Sequence, residues 1–122
     1  MTYVGIDVSK ASLEVCALGD SVQRLQVNNT RSGWKQLTRW LKQWPTVWVA
    51  LEATGTYGDG VSAWLYEAGL PVSVVNPARI KAYSQSQLKR HKTDAIDAQL
   101  IADFCRTQQP PLWQPPSAAE RE

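Results

Sequence analysis

Histidine and cysteine are too scarce in this chain to build a zinc site. There is one histidine, His91, and the two cysteines, Cys16 and Cys105, stand in no CxxC spacing. Both thiols are expected to be reduced and buried. Long apolar runs are missing too. No stretch approaches the roughly 18 residues that a membrane span needs. The opening Met1-Thr2-Tyr3-Val4-Gly5 has neither the basic region nor the apolar region of a signal peptide. A cytoplasmic protein with no membrane partner is therefore expected. Net charge is small: a formal +2 does not by itself establish a nucleic-acid partner. No internal repeat is visible. What is present is 122 residues, 43% of them hydrophobic and 20% charged, which suits one folded domain with a core and argues against disorder.

Hydrophobic periodicity divides the chain into elements. Tyr3 to Asp7 reads as a short apolar strand, Ser12 to Leu18 alternates, and Val22 to Val27 alternates again. With turn residues at Ser9-Lys10-Ala11 and Gly19-Asp20, these make an antiparallel meander. The period then changes. Trp34, Leu37, Trp40, Leu41 and Trp44 fall at helical spacing, with Thr30 or Ser32 as N-cap and Pro45 as the stop. Val47 to Leu51 is an apolar run fit for a strand covered on both faces. A helix from Gly58 or Asp59 to Ala68 follows, with Thr54 or Thr56 as a candidate cap and Gly69 as C-cap. Val72 to Val75 is another buried strand, and a short helical turn is expected over Ala78 to Tyr83. A longer helix capped by Thr93 then runs to about Arg106, with Ile96, Leu100, Ile101 and Phe104 on its apolar side. Trp34, Trp40 and Trp44 are assigned first to core packing. The tail, with Pro110-Pro111 and Pro115-Pro116 around Leu112-Trp113-Gln114, is an extended segment that reads as a linker.

The order β-β-β-α-β-α-β-α implies an α/β protein with a mixed five-stranded sheet, strands one to three antiparallel and helices on both faces. The RNase H-like fold has this order, with strand one central and strand four beside it. Residues 1–108 then form the domain and 109–122 the linker.

Four acidic residues fall where this topology would bring them together. Asp7 ends strand one in Gly5-Ile6-Asp7-Val8-Ser9-Lys10. Glu52 ends strand four in Leu51-Glu52-Ala53-Thr54-Gly55-Thr56-Tyr57. In open α/β sheets, ligands gather at such strand ends. Parallel neighbours would put the two carboxylates about 5 Å apart at the backbone. Two bare carboxylates that close repel, and a divalent cation removes the penalty. Asp94 and Asp97, three residues apart in Lys92-Thr93-Asp94-Ala95-Ile96-Asp97-Ala98, would share one helix face. Taken singly, Asp7 is equally well explained as a turn residue, and Asp94 as a helix-start aspartate. Taken together, four oxygen donors suit Mg²⁺ or Mn²⁺, the ions of phosphodiester chemistry.

The motifs Gly-Ile-Asp-Val-Ser-Lys at 5–10, Glu-Ala-Thr-Gly-Thr-Tyr at 52–57 and Lys-Thr-Asp-Ala-Ile-Asp-Ala at 92–98 resemble those of the DEDD transposases of the insertion-sequence-110 group. That group is related to the pilin-gene-inverting recombinases. The resemblance extends from strand one to the proline-rich segment. It implies a RuvC-like N-terminal domain that holds Mg²⁺ on Asp7, Glu52, Asp94 and Asp97. It also implies a DNA-cutting and rejoining activity completed by a serine nucleophile on a C-terminal domain absent from this chain. A structured bridge RNA that selects DNA, and a homo-oligomer in the full-length protein, are implied as well. The isolated domain is not expected to carry out full recombination.

The basic residues Lys89, Arg90, His91 and Lys92, just before the last acidic motif, read either as phosphate contacts or as a solvated loop; Lys10 beside Asp7 is a further candidate contact. Ser9 is expected to be a turn hydroxyl and Tyr57 a packing residue. Three alternatives stay open. One is a stand-alone RuvC-like nuclease. Another is an actin-like or sugar-kinase lobe, whose second lobe and adenosine contacts are not visible. The third is a nucleic-acid-binding or oligomerisation module that binds no metal.

Overall fold

The computed structural model describes residues 1–53, 55–87 and 96–115. Three strands lead the chain: β1 (Thr2–Val8), β2 (Ser12–Leu18) and β3 (Val22–Asn28). Then come α1 (Arg31–Leu41), β4 (Val47–Glu52), α2 (Asp59–Glu67), β5 (Val72–Val75), α3 (Pro77–Ser86) and α4 (Ala98–Gln108). The sheet order is β3-β2-β1-β4-β5. β1 to β3 pair antiparallel, whereas β1 pairs with β4, and β4 with β5, in parallel. This is the mixed α/β sheet expected from the sequence, with β1 central.

Strand alternation sends the two faces of the sheet into separate cores. Val4, Ile6, Leu13, Val15, Val49 and Leu51 pack with Leu37 and Leu41 of α1 and with Val61 and Leu65 of α2. Ala50 and Val75 pack on the other face with Ile80 of α3 and with Ile101, Phe104 and Cys105 of α4. Cys16 and Cys105 are both buried and unpaired, as expected. Of the tryptophans read as core residues, Trp34, Trp40 and Trp44 are only partly buried and border the first core.

Small residues let α4 lie unusually close to the sheet. A Cβ on Gly5 would meet the Ala98 carbonyl oxygen at 2.1 Å and the Ala102 amide nitrogen at 2.4 Å. Gly5 is therefore the contact surface for the α4 backbone, at the middle of the central strand.

Several helix boundaries differ from the sequence reading. Helix α1 ends at Leu41, so Trp44 lies beyond it; Trp44 still stacks edge-on against Trp40, with centroids 4.9 Å apart. Pro45 has no N–H for the Leu41 carbonyl and its ring would clash with that group, so the regular ladder stops there. Helix α2 starts after Gly58, which makes no side-chain cap bond, so Thr56 does not cap it; Thr54 lies outside the described residues. Gly69 follows in the left-handed region at φ 82°, as a C-terminal glycine should. The turn expected over Ala78 to Tyr83 is a ten-residue helix. Asn76 caps it through the Ala78 amide at 2.8 Å, and Pro77 occupies its first position.

Thr30 is the N-cap of α1, its hydroxyl accepting from the Gly33 amide at 3.3 Å. Thr30→Ala should cost about 1 kcal/mol, or roughly 5 °C in thermal melting, and Thr30→Ser should restore most of it. A loss below 1 °C would mean that the cap does not stabilise α1.

The proline-rich segment is extended where described, and its first residues pack on the domain. The Trp113 amide donates to the Val72 carbonyl at 2.7 Å, and the Ser73 hydroxyl donates to the Pro110 carbonyl at 3.1 Å. The Trp113 ring stacks edge-on against Tyr66. Among the described residues, no helix is long and apolar enough to cross a membrane.

Candidate metal and nucleic-acid site

The last register pair between β1 and β4 is Ile6 opposite Leu51. The next residues along are Asp7 and Glu52, on neighbouring parallel strands spaced by about 4.8 Å. Asp7 shares a sheet face with Gly5, and Glu52 with Ala50, which is the face covered by α4. The carboxylates read from the sequence as neighbours at strand ends therefore do stand together.

Asp97 reaches the same place by a different route from the one expected. Helix α4 begins at Ala98 and not at Thr93, and Asp97 is its N-cap in extended backbone at φ −126°, ψ 175°. Its Oδ1 accepts from the Leu100 amide at 2.8 Å. Asp97 is thus a capping residue before the helix, and the shared helix face inferred from its spacing to Asp94 does not apply. An aspartate immediately before a run of helix formers, Ala98-Gln99-Leu100-Ile101-Ala102, is equally the signature of a cap, a signal passed over in favour of Thr93. Thr93, Asp94, Lys89, Arg90, His91 and Lys92 lie outside the described residues.

The electrostatics tie the three described carboxylates together. Burial raises the Asp7 carboxyl above the usual aspartate range, and the negative charges of Asp97 and Glu14 raise it further. Burial likewise raises Glu52; the nearby Asp7 adds to this, while Lys81 of α3 opposes it. Glu14 stands directly opposite Asp7 in the β1–β2 register and faces the same side of the sheet. It escaped the sequence reading, although the tight turn at 9–11 implies that pairing. On the outer side of α4, the Arg24 guanidinium donates to the Gln99 side chain, leaving a cation beside this face. Lys10 lies exposed in the turn after Asp7. The Ser9 hydroxyl bonds within that turn, accepting from the Ser12 amide at 3.2 Å, so it is a turn hydroxyl as expected. Tyr57 is not packed but 50% exposed.

The donor chemistry fits a hard divalent cation: carboxylate oxygens whose charges raise one another's proton affinity. Among the described residues, however, no group of three or more histidine, cysteine, aspartate or glutamate side chains is placed to hold a metal ion. One oxygen of Asp97 is committed to its cap, which leaves Asp7 and Glu52 as the core of the described site.

Comparison with known proteins decides the family. The model of a transposase family, the DEDD transposases of the insertion-sequence-110 group, matches residues 4–122. The chain belongs to this family. Pilin gene-inverting proteins are among the relatives of this family member. The one from Moraxella bovis is 37% identical over 124 residues and the one from Moraxella lacunata 36% identical over the same length. Each match takes in 98% of this chain but only 38% of the relative, so the chain spans little more than a third of their length. Among solved structures, Thermus thermophilus RuvC superposes with a TM-score of 0.63 at 16% identity, covering 93% of this chain and all of that one. RuvC in complex with a Holliday junction substrate gives 0.61 at 15%, covering 93% of this chain and 99% of that one. The fold is therefore RuvC-like, of the RNase H-like class.

Proposed function

We propose that this chain is the N-terminal, metal-binding domain of a recombinase that cuts and rejoins DNA during transposition. The observation that carries the reading is the pairing of Asp7 with Glu52 at the ends of adjacent parallel strands, with Asp97 close enough to raise the Asp7 carboxyl. Asp7, Glu52, Asp94 and Asp97 are the proposed ligands, for Mg²⁺ or Mn²⁺. Held there, such an ion supplies Lewis-acid stabilisation to the phosphodiester under attack. Lys10, Lys89, Arg90, His91 and Lys92 contact backbone phosphates and position the strand.

Support comes from the family, from the relatives named for inverting a gene, and from a RuvC-like fold that in one solved structure accompanies a Holliday junction. Residues 1–108 form the domain, and 109–122 lead toward a C-terminal domain that provides the serine nucleophile. The full-length protein works in the cytoplasm as a homo-oligomer, with a structured RNA choosing its DNA. A second reading, a metal-dependent nuclease complete in this domain, is favoured by one observation: the match covers the whole of the RuvC chain.

The test is thermal melting with increasing Mg²⁺ or Mn²⁺. At a hundred times its dissociation constant, a bound ion adds about 2.7 kcal/mol, a rise of roughly 10 °C. Asp97→Asn, which keeps an oxygen for the Leu100 amide, should lose most of that rise while melting normally without metal. No rise in the wild type, or an equal rise in the variant, would refute the assignment. Cleavage of DNA by these 122 residues alone would favour the nuclease reading.

A further inference from the structure

Beyond Ile6 and Leu51 no register pair joins β1 to β4. The chain after Asp7 turns into β2, and the chain after Glu52 runs toward α2. The spacing of the two carboxylates thus depends on what holds these departing segments. Asn29, in the connection between β3 and the Thr30 cap of α1, touches both. Its side-chain amide donates to the Ser9 carbonyl at 2.9 Å and to the Tyr57 carbonyl at 2.9 Å. Its carbonyl oxygen accepts from the Trp34 indole at 2.9 Å. Its own backbone amide donates to the Ala11 carbonyl at 3.0 Å.

A primary amide offers two donor hydrogens and one acceptor oxygen, and all three are engaged. The orientation is fixed by its partners: turned over, the amide would set its NH₂ against the indole N–H and its oxygen against two carbonyls. Ser9 lies two residues after Asp7, and Tyr57 five after Glu52. The corner is also tightly packed, since a Cβ on Gly33 would meet the Asn28 carbonyl oxygen at 1.8 Å. The α1 start therefore holds Asn29 in place from behind, with Trp34 as its brace.

We propose that Asn29 is a positioning residue that locks the turn after Asp7 to the loop after Glu52 and so fixes the spacing of the two carboxylates. It acts through the Ser9 and Tyr57 carbonyls. The role presupposes the metal reading above, but the lock itself does not.

The test compares Asn29→Asp, Asn29→Ala and Trp34→Phe in the 122-residue chain. Asn29→Asp keeps an acceptor for Trp34 and loses both donors, and Asn29→Ala loses everything without adding charge. Trp34→Phe removes the brace bond together with part of the indole's packing against Gly60 and Trp64, and serves as the control for general destabilisation. Both Asn29 variants should speed amide exchange at Ser12 and at Asp59 by about tenfold or more, which corresponds to the loss of one or two hydrogen bonds. Their Mn²⁺ dissociation constants, measured by electron paramagnetic resonance of the free ion, should rise about 10- to 100-fold, the usual effect of losing an outer-shell support. Trp34→Phe should melt earlier yet keep Mn²⁺ affinity and exchange at Ser12 within about twofold; exchange at Asp59, next to the Gly60 that Trp34 packs on, is compared between wild type and the Asn29 variants only. Unchanged Mn²⁺ affinity in the Asn29 variants, or an equal loss in Trp34→Phe, would overturn the positioning role. A wild type that binds no Mn²⁺ would refute the metal reading instead; the exchange rates then decide the lock, and unchanged exchange at both amides overturns it.

Discussion

Asp7→Asn should make the metal-free protein more stable at neutral pH and abolish its response to Mn²⁺. Burial, Asp97 and Glu14 all disfavour the charged form of Asp7 and raise its folded-state value above the ordinary 3.8. The folded state therefore holds this proton more tightly than the unfolded chain. Below pH 3.8 both states carry it and the carboxyl costs nothing. As pH climbs through the raised folded value, the fold loses stability and bears the full penalty above it. The neutral asparagine never bears it. Wild type and variant should melt together in acid and separate as pH rises, with the variant ahead. The same charge makes the site attract a cation, so Mn²⁺ affinity of the wild type should fall as pH drops through the raised values of Asp7 and Glu52. Losing an outer-shell group costs 10- to 100-fold in metal affinity or activity, so losing Asp7, a ligand in the proposed site, should cost more than about 100-fold in Mn²⁺ affinity. A variant that melts below the wild type at pH 7, or that keeps its Mn²⁺ response, would contradict this account of the site.

Gly5→Ala should be the most damaging single-methyl change in the sheet. The added carbon would sit 2.1 Å from the Ala98 oxygen and 2.4 Å from the Ala102 nitrogen. Both are backbone atoms, so no side-chain rotation relieves the clash, and α4 must move outward as a unit. Overpacking a core commonly costs 1–3 kcal/mol, and a rigid backbone contact belongs at the top of that range. A loss of about 3 kcal/mol, roughly 12 °C or more in melting, is expected. Because Ala98 directly follows Asp97, the same movement carries Asp97 away from Asp7. Mn²⁺ affinity should fall in the folded variant even well below its melting temperature. Stability within 1 kcal/mol of wild type would show that α4 can shift freely and that its closeness to Gly5 is incidental.

Much of this arrangement was legible in the sequence. Alternation in β2 and β3 and the apolar run of β4 marked the elements, and the RNase H-like arrangement that their order matches, with strand four beside strand one, places Asp7 beside Glu52. Helix ends were harder, because several residues compete to cap or to break. Thr93 and Asp97 both stand before part of the apolar set Ile96, Leu100, Ile101 and Phe104, and periodicity does not choose between them as caps; the helix that starts at Ala98, packed on Gly5, does. Asn76-Pro77 follows β5 directly, and the same pair caps and starts α3, which runs further than the turn expected over Ala78 to Tyr83. Asn29 was invisible for another reason. Its value lies in three partners, Ser9, Tyr57 and Trp34, which only the folded corner brings within reach.

The docking of Pro110 to Trp113 bears on how this sheet avoids its neighbours. A sheet ends in two strands with unpaired backbone groups, each an invitation to another chain. On one side, β3 meets that hazard with composition: Gln23, Arg24, Gln26 and Asn28 make it too polar to be a welcoming surface. On the other side, β5 is short and apolar, Val72-Ser73-Val74-Val75, and has no such defence. There the chain covers the start of the strand itself, the Trp113 amide donating to the Val72 carbonyl and the Pro110 carbonyl accepting from the Ser73 hydroxyl. Proline suits this duty because it offers no N–H to extend the ladder further. The segment that follows α4 thus occupies the first hydrogen-bonding position on the sheet's open side.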